Sequence, residues 1–378
     1  MLQRYCLVVV GLALLLATVP PAGAWDRGPV QTFAVLPAFT PQNGACPDGA
    51  PTCVSDVEGV AVAPDGTIYA PSFGFNKDGA LTGNGELFVI SPNGKVISHF
   101  AVAGSSPRLI GGIFQPSSQS VLIPDLMMGV VWKVNPQTHT SSTFLTLPPT
   151  TAAPGLNAMA FDANGNAYVS DSFQGVIWKT GPTGGLATAW YAPDNPGQNN
   201  LLMPTPGPDP LFLVPPFGAN GITFNHEGTA MFVNNTAYHS IVMIPVTSDG
   251  SAGTAQTFTT GINAPDGIAI DANDNLWVLA NQGDEVVVVD PNGKVIAKKG
   301  DFDGIAPDGT IKGLLFPASN AFSPDGRFMY ITNLALYLPH AQVPFIAVDS
   351  GWTLQVEQFN VARIPVTGCK KTGDAQVC

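Results

Sequence analysis

Charge is scarce in this chain of 378 residues, and most of the charge that it carries is negative. Asp, Glu, Lys and Arg make up only 11% of the residues, and 15 basic residues stand against 27 acidic ones, for a net charge of −12. Because binding to a phosphate backbone requires basic patches, this composition argues against a nucleic-acid partner. Scarce Lys and Glu also disfavour long helices.

Long apolar runs are absent too, except at the N-terminus. Residues 6–17 read CLVVVGLALLLA, after a positive charge at Arg4 and before the small residues Ala22-Gly23-Ala24. This order of segments predicts a secretory signal peptide over residues 1–24. The apolar run is too short to span a bilayer, so we expect a secreted or periplasmic protein with no membrane association after cleavage.

Cysteine is rare, and one of the five cysteines lies within the signal peptide. The other four form two near pairs, and an oxidising compartment permits disulfides. We expect the pairs Cys46–Cys53 and Cys369–Cys378, although four cysteines allow three connectivities. A four-cysteine zinc site is the alternative, but the spacing within each pair is unlike that of a zinc knuckle.

Glycine and proline are plentiful, with 41 and 35 residues, and they occur among β-branched and aromatic residues. This mixture is typical of many short strands joined by tight turns. One phrase recurs, in which a polar residue is followed by an apolar strand, a tight turn and a second strand. Its six copies begin at Glu58, Gly111, Asn157, Asn220, Asp266 and Ala318.

A third and a fourth strand follow each copy, but the sixth copy has no fourth strand of its own. Residues 30–39 (VQTFAVLPAF) match the other fourth strands, so we expect this N-terminal strand to complete the last blade. The third strand of that blade is either 345–351 or 361–366. The sequence therefore predicts an all-β, six-bladed β-propeller, as a single domain over residues 25–378 with a short Cys-containing C-terminal tail. Since a closed ring has no free sheet edge, we expect a monomer.

The two faces of such a propeller carry different connections. Turns such as Asp65-Gly66 and Asn93-Gly94, which supply the positive φ of tight hairpins, all fall on one face. The long connections fall on the other face and cover residues 40–57, 71–85, 193–219, 303–317 and 334–344. Each first strand starts from that second face, where we expect binding and catalysis.

Polar residues open four of the first strands, which line the central channel of a propeller. Glu58, Asn157, Asn220 and Asp266 each stand eight residues before the same turn position, so we expect them to converge. Two carboxylates and two amide carbonyls suit Ca²⁺ better than Mg²⁺, and the lack of Cys and His argues against zinc or copper. The alternative is that such residues only cap backbone groups. Glu is a poor cap, which favours a metal site.

These phrases resemble the senescence-marker-protein/gluconolactonase (regucalcin-like) family and its relatives, the paraoxonases and diisopropylfluorophosphatase. The resemblance rests above all on Glu58-Gly59, Asn220-Gly221 and Asp266-Gly267. It implies that Glu58, Asn220 and Asp266, with Asn157, hold a divalent metal. It also implies hydrolysis of lactones or phosphotriesters, with the metal holding the substrate oxygen.

One position departs from the gluconolactonase branch. That branch has an Arg that helps to bind a sugar acid, and this chain has Gly155 there, which argues against an aldonolactone. If the apolar residues of the long connections form the mouth of the site, a less polar ester or lactone fits better. The alternative is that they pack the connections onto each other. These residues are Phe73, Phe75, Leu201, Leu202, Met203, Phe212, Phe217, Leu336 and Tyr337.

The base is open at this stage. By family analogy Asp266 acts as base or nucleophile, but a neighbouring cation lowers the pKa of a carboxylate, which makes a histidine the alternative. Of the five histidines only His239 and His340 fall on the ligand face, where each is otherwise a surface loop residue. Arg108 starts blade 2 and is a candidate for binding an anionic substrate, or else for pairing with a surface carboxylate.

Three functions fit this sequence. The first is a Ca²⁺-dependent hydrolase of small lactones or esters. The second is a non-catalytic propeller that binds a small molecule and holds a structural metal in its channel, and the third is a propeller lyase or a strictosidine-synthase-like enzyme. The sequence has no phosphate loop, no G-x-S-x-G nucleophile motif and no HExxH motif.

Overall fold

The computed structural model describes residues 27–37, 56–76, 79–80, 82–149, 152–204, 217–337, 350–366, 370–372 and 375–377. Within them, six antiparallel sheets surround a central channel as a β-propeller, so the prediction of a six-bladed all-β fold is confirmed. The proposed signal peptide, all four candidate disulfide cysteines and His340 lie outside the described residues. No helix in the described ranges has the length and apolar character needed to cross a bilayer.

Each blade has four principal strands, numbered from the channel outward. Blade 1 comprises Ala61–Val62, Ile68–Pro71, Glu86–Ile90 and Val96–Ala101. Blade 2 comprises Ile113–Gln115, Ser120–Asp125, Val130–Asn135 and Thr140–Thr146, with Gly185–Leu186 added in parallel at its outer edge. Blade 3 comprises Leu156–Phe161, Ala167–Asp171, Val176–Thr180 and Thr188–Tyr191.

The remaining blades follow the same order. Blade 4 comprises Ala219–Phe224, Ala230–Asn235, Ser240–Pro245 and Gln256–Thr260. Blade 5 comprises Pro265–Ile270, Leu276–Ala280, Glu285–Val289 and Val295–Lys299. Blade 6 comprises Pro317–Phe322, Phe328–Asn333, Asn360–Pro365 and, as its outer strand, Gln31–Val35.

Short elements lie in the connections and in the C-terminal tail. Three two-stranded hairpins pair Phe75–Asn76 with Gly79–Ala80, Phe302–Ile305 with Ile311–Gly313, and Lys370–Thr372 with Ala375–Val377. One helical turn spans Ser350–Thr353, and 3₁₀ turns span Pro116–Ser118 and Asn281–Gly283.

The N-terminal strand closes the ring as predicted. Gln31–Val35 pairs antiparallel with Asn360–Pro365, which places the third strand of blade 6 at the second of the two predicted positions. Just before it, Arg27 forms an ion pair of 2.7 Å with Glu285 of blade 5. The N-terminal segment therefore joins blade 6 by backbone pairing and blade 5 by charge.

The hydrophobic core lies between neighbouring blades. Alternate residues of each strand face opposite sides of the sheet, so each blade packs apolar side chains against both neighbours. For example, Tyr69 of blade 1 stacks on Phe114 of blade 2, and Trp277 of blade 5 meets the edge of Phe322 of blade 6. This packing leaves the inner edges of the first strands to line the channel.

Candidate functional site

Every first strand carries a β-bulge at its start. In blade 3 the two residues Asn157 and Ala158 oppose the single residue Ser170 of the second strand. A bulge turns a side chain out of the regular alternation, and bulges are common beside active sites. In blades 4, 5 and 6 the two residues that oppose a single partner are Asn220-Gly221, Asp266-Gly267 and Ala318-Ser319. In blades 1 and 2 the pairing shifts by one residue in the same way, after Val57 and after Leu109.

Glycines beside the candidate residues let the blades meet closely at the channel. A Cβ atom on Gly267 would lie 2.6 Å from the carbonyl oxygen of Ala318, and one on Gly221 would overlap the carbonyl oxygen of Asp266. Gly59 stands in the same relation to Gly111. These three glycines follow Asp266, Asn220 and Glu58, so they bring the neighbouring first strands together at the candidate site.

The structure brings Glu58, Asn157, Asn220 and Asp266 together around one cavity, where each is only 3–7% exposed. The cavity has a volume of about 40 Å³, which is room for an ion and one or two waters. Thr236 and Asn281 complete its polar side. The other described residues of its wall are apolar: Phe73, Ile110, Phe217, Phe316, Leu334 and Leu336.

Burial disfavours the charged forms of both carboxyl groups. It raises the pKa of Glu58 to about 7, although the backbone N–H of Gly111 donates a hydrogen bond to the carboxylate. The pKa of Asp266 is also raised well above its usual range, by burial and then by repulsion from Glu58, against the hydrogen bonds from Asn281 and Asn220. None of the described residues that line the cavity is cationic. A divalent cation would relieve this imbalance.

The donor set is of mixed type. The described part of the chain contains no group of three or more His, Cys, Asp or Glu side chains able to hold a metal. Here only two of the four candidate ligands are carboxylates, and the amide of Asn157 donates to Ser172 Oγ at 3.2 Å while that of Asn220 donates to Thr236 Oγ1 at 3.0 Å. With their N–H groups so engaged, both amides can offer oxygen to the cavity, which fits a hard cation.

Asn281 contacts the site although it was not among the candidate residues. Its Nδ2 donates a hydrogen bond of 2.8 Å to Asp266 Oδ2. It directly follows the second strand of blade 5, as Ser172 follows that of blade 3 and Thr236 that of blade 4. Each of these three side chains hydrogen-bonds the candidate ligand of its own blade. A polar residue just after the second strand was therefore the signal in the sequence that could have revealed Asn281.

The other candidate residues lie around the site. His239 does not line the cavity; its Nδ1 accepts the backbone N–H of Ala264 at 3.0 Å, two residues before Asp266. Arg108 is half-buried and does not line the cavity, to which blade 2 contributes Ile110. Catalysis by His239 and substrate binding by Arg108 therefore stay predictions.

The apolar residues of the connections divide into two groups. Phe73, Phe217 and Leu336 line the cavity, whereas Leu202 is buried in the core between blades 3 and 4. A Cβ atom on Gly155 would lie 2.5 Å from the ring of Phe173, so that ring covers the position where the gluconolactonase branch has its Arg.

Residues 217–299 match the model of the SMP-30/Gluconolactonase/LRE-like region. The resemblance drawn from the sequence is thereby confirmed, and the matched segment includes Asn220 and Asp266. No curated protein sequence matches the chain.

Solved structures share the fold of this chain. A luciferin-regenerating enzyme is 15% identical with a TM-score of 0.60, over 93% of this chain and 99% of its own. The calcium-binding protein regucalcin from Agrobacterium tumefaciens is 16% identical with a TM-score of 0.57, over 87% and 95%. A gluconolactonase from Xanthomonas campestris is 13% identical with a TM-score of 0.53, over 83% and 96%.

Proposed function

We propose that this protein is a secreted or periplasmic, metal-dependent hydrolase of small, weakly polar lactones or esters. The observation that carries the proposal is the pairing of two buried carboxylates with two buried amides around one cavity whose described wall has no cationic side chain. Such a set is costly to bury unless a cation completes it.

Glu58, Asn157, Asn220 and Asp266 would hold the cation, with Ca²⁺ as the first choice. Four protein oxygens leave coordination positions for water and substrate, because Ca²⁺ takes 6–8 oxygen ligands. The names of two of the similar structures, a calcium-binding protein and a gluconolactonase, point the same way. When bound, the cation would polarise the substrate carbonyl and stabilise the negative charge that develops on its oxygen.

Asp266 is the base in this proposal. It and Glu58 are the titratable side chains among the described residues of the cavity wall, and Asn281 fixes one oxygen of Asp266. The water oxygen adds to the ester carbonyl carbon, and the proton of the water passes to Asp266. The acyl–oxygen bond then breaks, and Asp266 returns the proton to the leaving alkoxide. His340, outside the described residues, is the alternative base.

The wall favours an apolar substrate group. Phe73, Ile110 and Leu336 line the same cavity as the polar residues, and the ring of Phe173 packs against Gly155, where the gluconolactonase branch has an Arg that helps to bind a sugar acid. A sugar lactone would leave its hydroxyls without partners against this wall, so we expect alkyl or aryl lactones and esters to be preferred.

The test is hydrolysis of a panel of alkyl lactones, aryl esters, aldonolactones and phosphotriesters with added Ca²⁺. We expect turnover of the first two classes and a loss of at least about 100-fold in kcat/KM for Asp266→Asn. Asp325→Asn, in an exposed turn, is the matched control and keeps activity. Turnover that survives Asp266→Asn would disprove the assignment of Asp266 as the base.

The second candidate is a binding propeller with a structural cation. The small volume of the cavity favours it, since about 40 Å³ has room for an ion and water but not for a whole lactone. Cation binding without turnover of any panel compound would support this function. A product with no added water, detected by mass spectrometry, would instead support a lyase.

A further inference from the structure

Two hydroxyl groups stand behind the two site amides. We infer that Ser172 and Thr236 are positioning residues, which turn the amides of Asn157 and Asn220 so that both present oxygen, and not nitrogen, to the cavity. The inference rests on the proposed cation site and assigns these hydroxyls a role in it.

The direction of each hydrogen bond follows from counting protons. Thr236 Oγ1 lies 2.8 Å from the carbonyl oxygen of Pro265, which can only accept, so the one hydroxyl proton is committed to that bond. The hydroxyl can then only accept from Asn220, whose Nδ2 lies 3.0 Å away. The amide nitrogen must therefore face Thr236.

Ser172 repeats the arrangement one blade earlier. Its Oγ lies 2.6 Å from the carbonyl oxygen of Ala219, which commits its proton, and it accepts from Asn157 Nδ2 at 3.2 Å. In both cases the accepting carbonyl belongs to the residue just before the next site residue, Asn220 or Asp266. Each hydroxyl thus joins two blades and orients one amide.

A reversed amide would be unfavourable on both sides. Its oxygen would face a hydroxyl oxygen that has no proton to offer, and its NH₂ group would face the cation. All four side chains are buried, so two oxygens in contact with no proton between them would be costly. The second N–H of Asn220 hydrogen-bonds Asp266, which leaves its carbonyl oxygen as the group still available to a cation.

Blade 5 shows the complementary case. Asp266 offers oxygen from either side and needs no orientation, and the group behind it is an amide, Asn281, which donates to it at 2.8 Å. Asn281 Nδ2 also lies 3.3 Å from the carbonyl oxygen of Pro317. Pro317 holds the same position in blade 6 as Pro265 in blade 5 and Ala219 in blade 4. Each amide ligand thus has a hydroxyl group behind it that accepts a hydrogen bond, and Asp266 has an amide behind it that donates one.

The test is Ca²⁺ titration by calorimetry on the protein comprising residues 25–378. Thr236→Val keeps the shape of the side chain and removes the hydroxyl, and we expect Ca²⁺ affinity to fall about 10- to 100-fold. Thr236→Ser restores the hydroxyl and should stay within about threefold of wild type. Thr332→Val is the matched control, because it removes a hydroxyl that donates to the Glu58 carbonyl but orients no site amide. Its Ca²⁺ affinity should therefore fall less than that of Thr236→Val.

A second background separates orientation from folding. In Asn220→Asp the ligand has oxygen on both sides, so adding Thr236→Val should cost little Ca²⁺ affinity there. If the melting temperature shows that Thr236→Val does not fold, the test is made in blade 3. There the effect of Ser172→Ala on Ca²⁺ affinity is measured with and without Asn157→Asp. Equal losses in both backgrounds, or no loss in Thr236→Val, would overturn the inference and leave the cation site standing. A wild-type protein that binds no divalent cation would overturn both.

Discussion

The first strands that open on a polar residue and those that open on an apolar residue share one backbone design and differ in their side chains. Blades 3, 4 and 5 place Asn157, Asn220 and Asp266 at their bulges, whereas blades 2 and 6 present Ile110 and Ala318 at the same register. The bulge is thus a property of the repeat, and the chemistry depends on the single residue that occupies it. A polar side chain also stands behind three of the four ligands, so giving blade 2 or blade 6 the same arrangement would require at least two changes.

The largest expected effect comes from removing charge on the polar side. Glu58→Gln or Asp266→Asn should weaken Ca²⁺ binding by about 100-fold or more, which corresponds to ~2.8 kcal/mol, because each removes one of two anionic ligands. Calorimetric titration measures the change. At the apolar bulge of blade 6, Ala318→Ser should leave Ca²⁺ affinity near wild type, and an equal loss there would contradict this comparison of the bulges.

The pH dependence of stability should reveal the same two carboxyl groups. Their folded pKa values are raised, that of Glu58 to about 7, above the unfolded values of about 4. The cation-free folded protein therefore binds more protons than the unfolded chain, and its stability should fall as pH rises from about 5 through about 7, by on the order of a few kcal/mol. Saturating Ca²⁺ should reduce the fall. Melting temperatures with chelator that rise over this window would contradict the account.

The apolar side should affect substrate and not cation. Leu336→Ala is expected to raise KM for an alkyl lactone about tenfold, or ~1.4 kcal/mol, through lost apolar contact, while Ca²⁺ affinity stays within about twofold. Leu354→Ala, at an exposed leucine, is the control for the same substitution. If Leu336→Ala changes Ca²⁺ affinity and leaves KM unchanged, the apolar residues of the wall do not bind the substrate as described.

The smallest expected effect is at the ring closure. Arg27→Ala removes a half-exposed partner of Glu285, which keeps Lys298 at 2.5 Å, so the loss of stability should stay below about 1 kcal/mol. Chemical denaturation measures it, with the exposed Arg327→Ala as control. A loss several times larger would show that the ring depends on this ion pair more than on the pairing of strand Gln31–Val35.

Much of the fold could be predicted because it repeats. Gly66, Gly165, Gly228 and Asp274 all have positive φ, as the tight turns predicted from the sequence require, and equal spacing from these turns placed four site residues at one register. The missing strand of blade 6 was recognisable because five other copies showed what was missing.

The groups behind the ligands could not be predicted, because they depend on contacts between blades. Thr236 binds a carbonyl 29 residues further along the chain, and Ser172 one 47 residues further along. The bulges were hidden for the same reason, since a bulge exists only relative to the partner strand. The apolar residues of the wall come from blades 1, 2 and 6 and from Phe217, and no local pattern links those segments.

The most direct test of the cation site is the metal content of the purified protein, with thermal melting before and after chelation. The account predicts about one Ca²⁺ per chain and a melting temperature at neutral pH that falls on chelation in wild type but not in Glu58→Gln. A protein without metal, whose melting is indifferent to chelator and to Glu58→Gln, would contradict it, and the four converging side chains would then serve only to hold the ends of their strands.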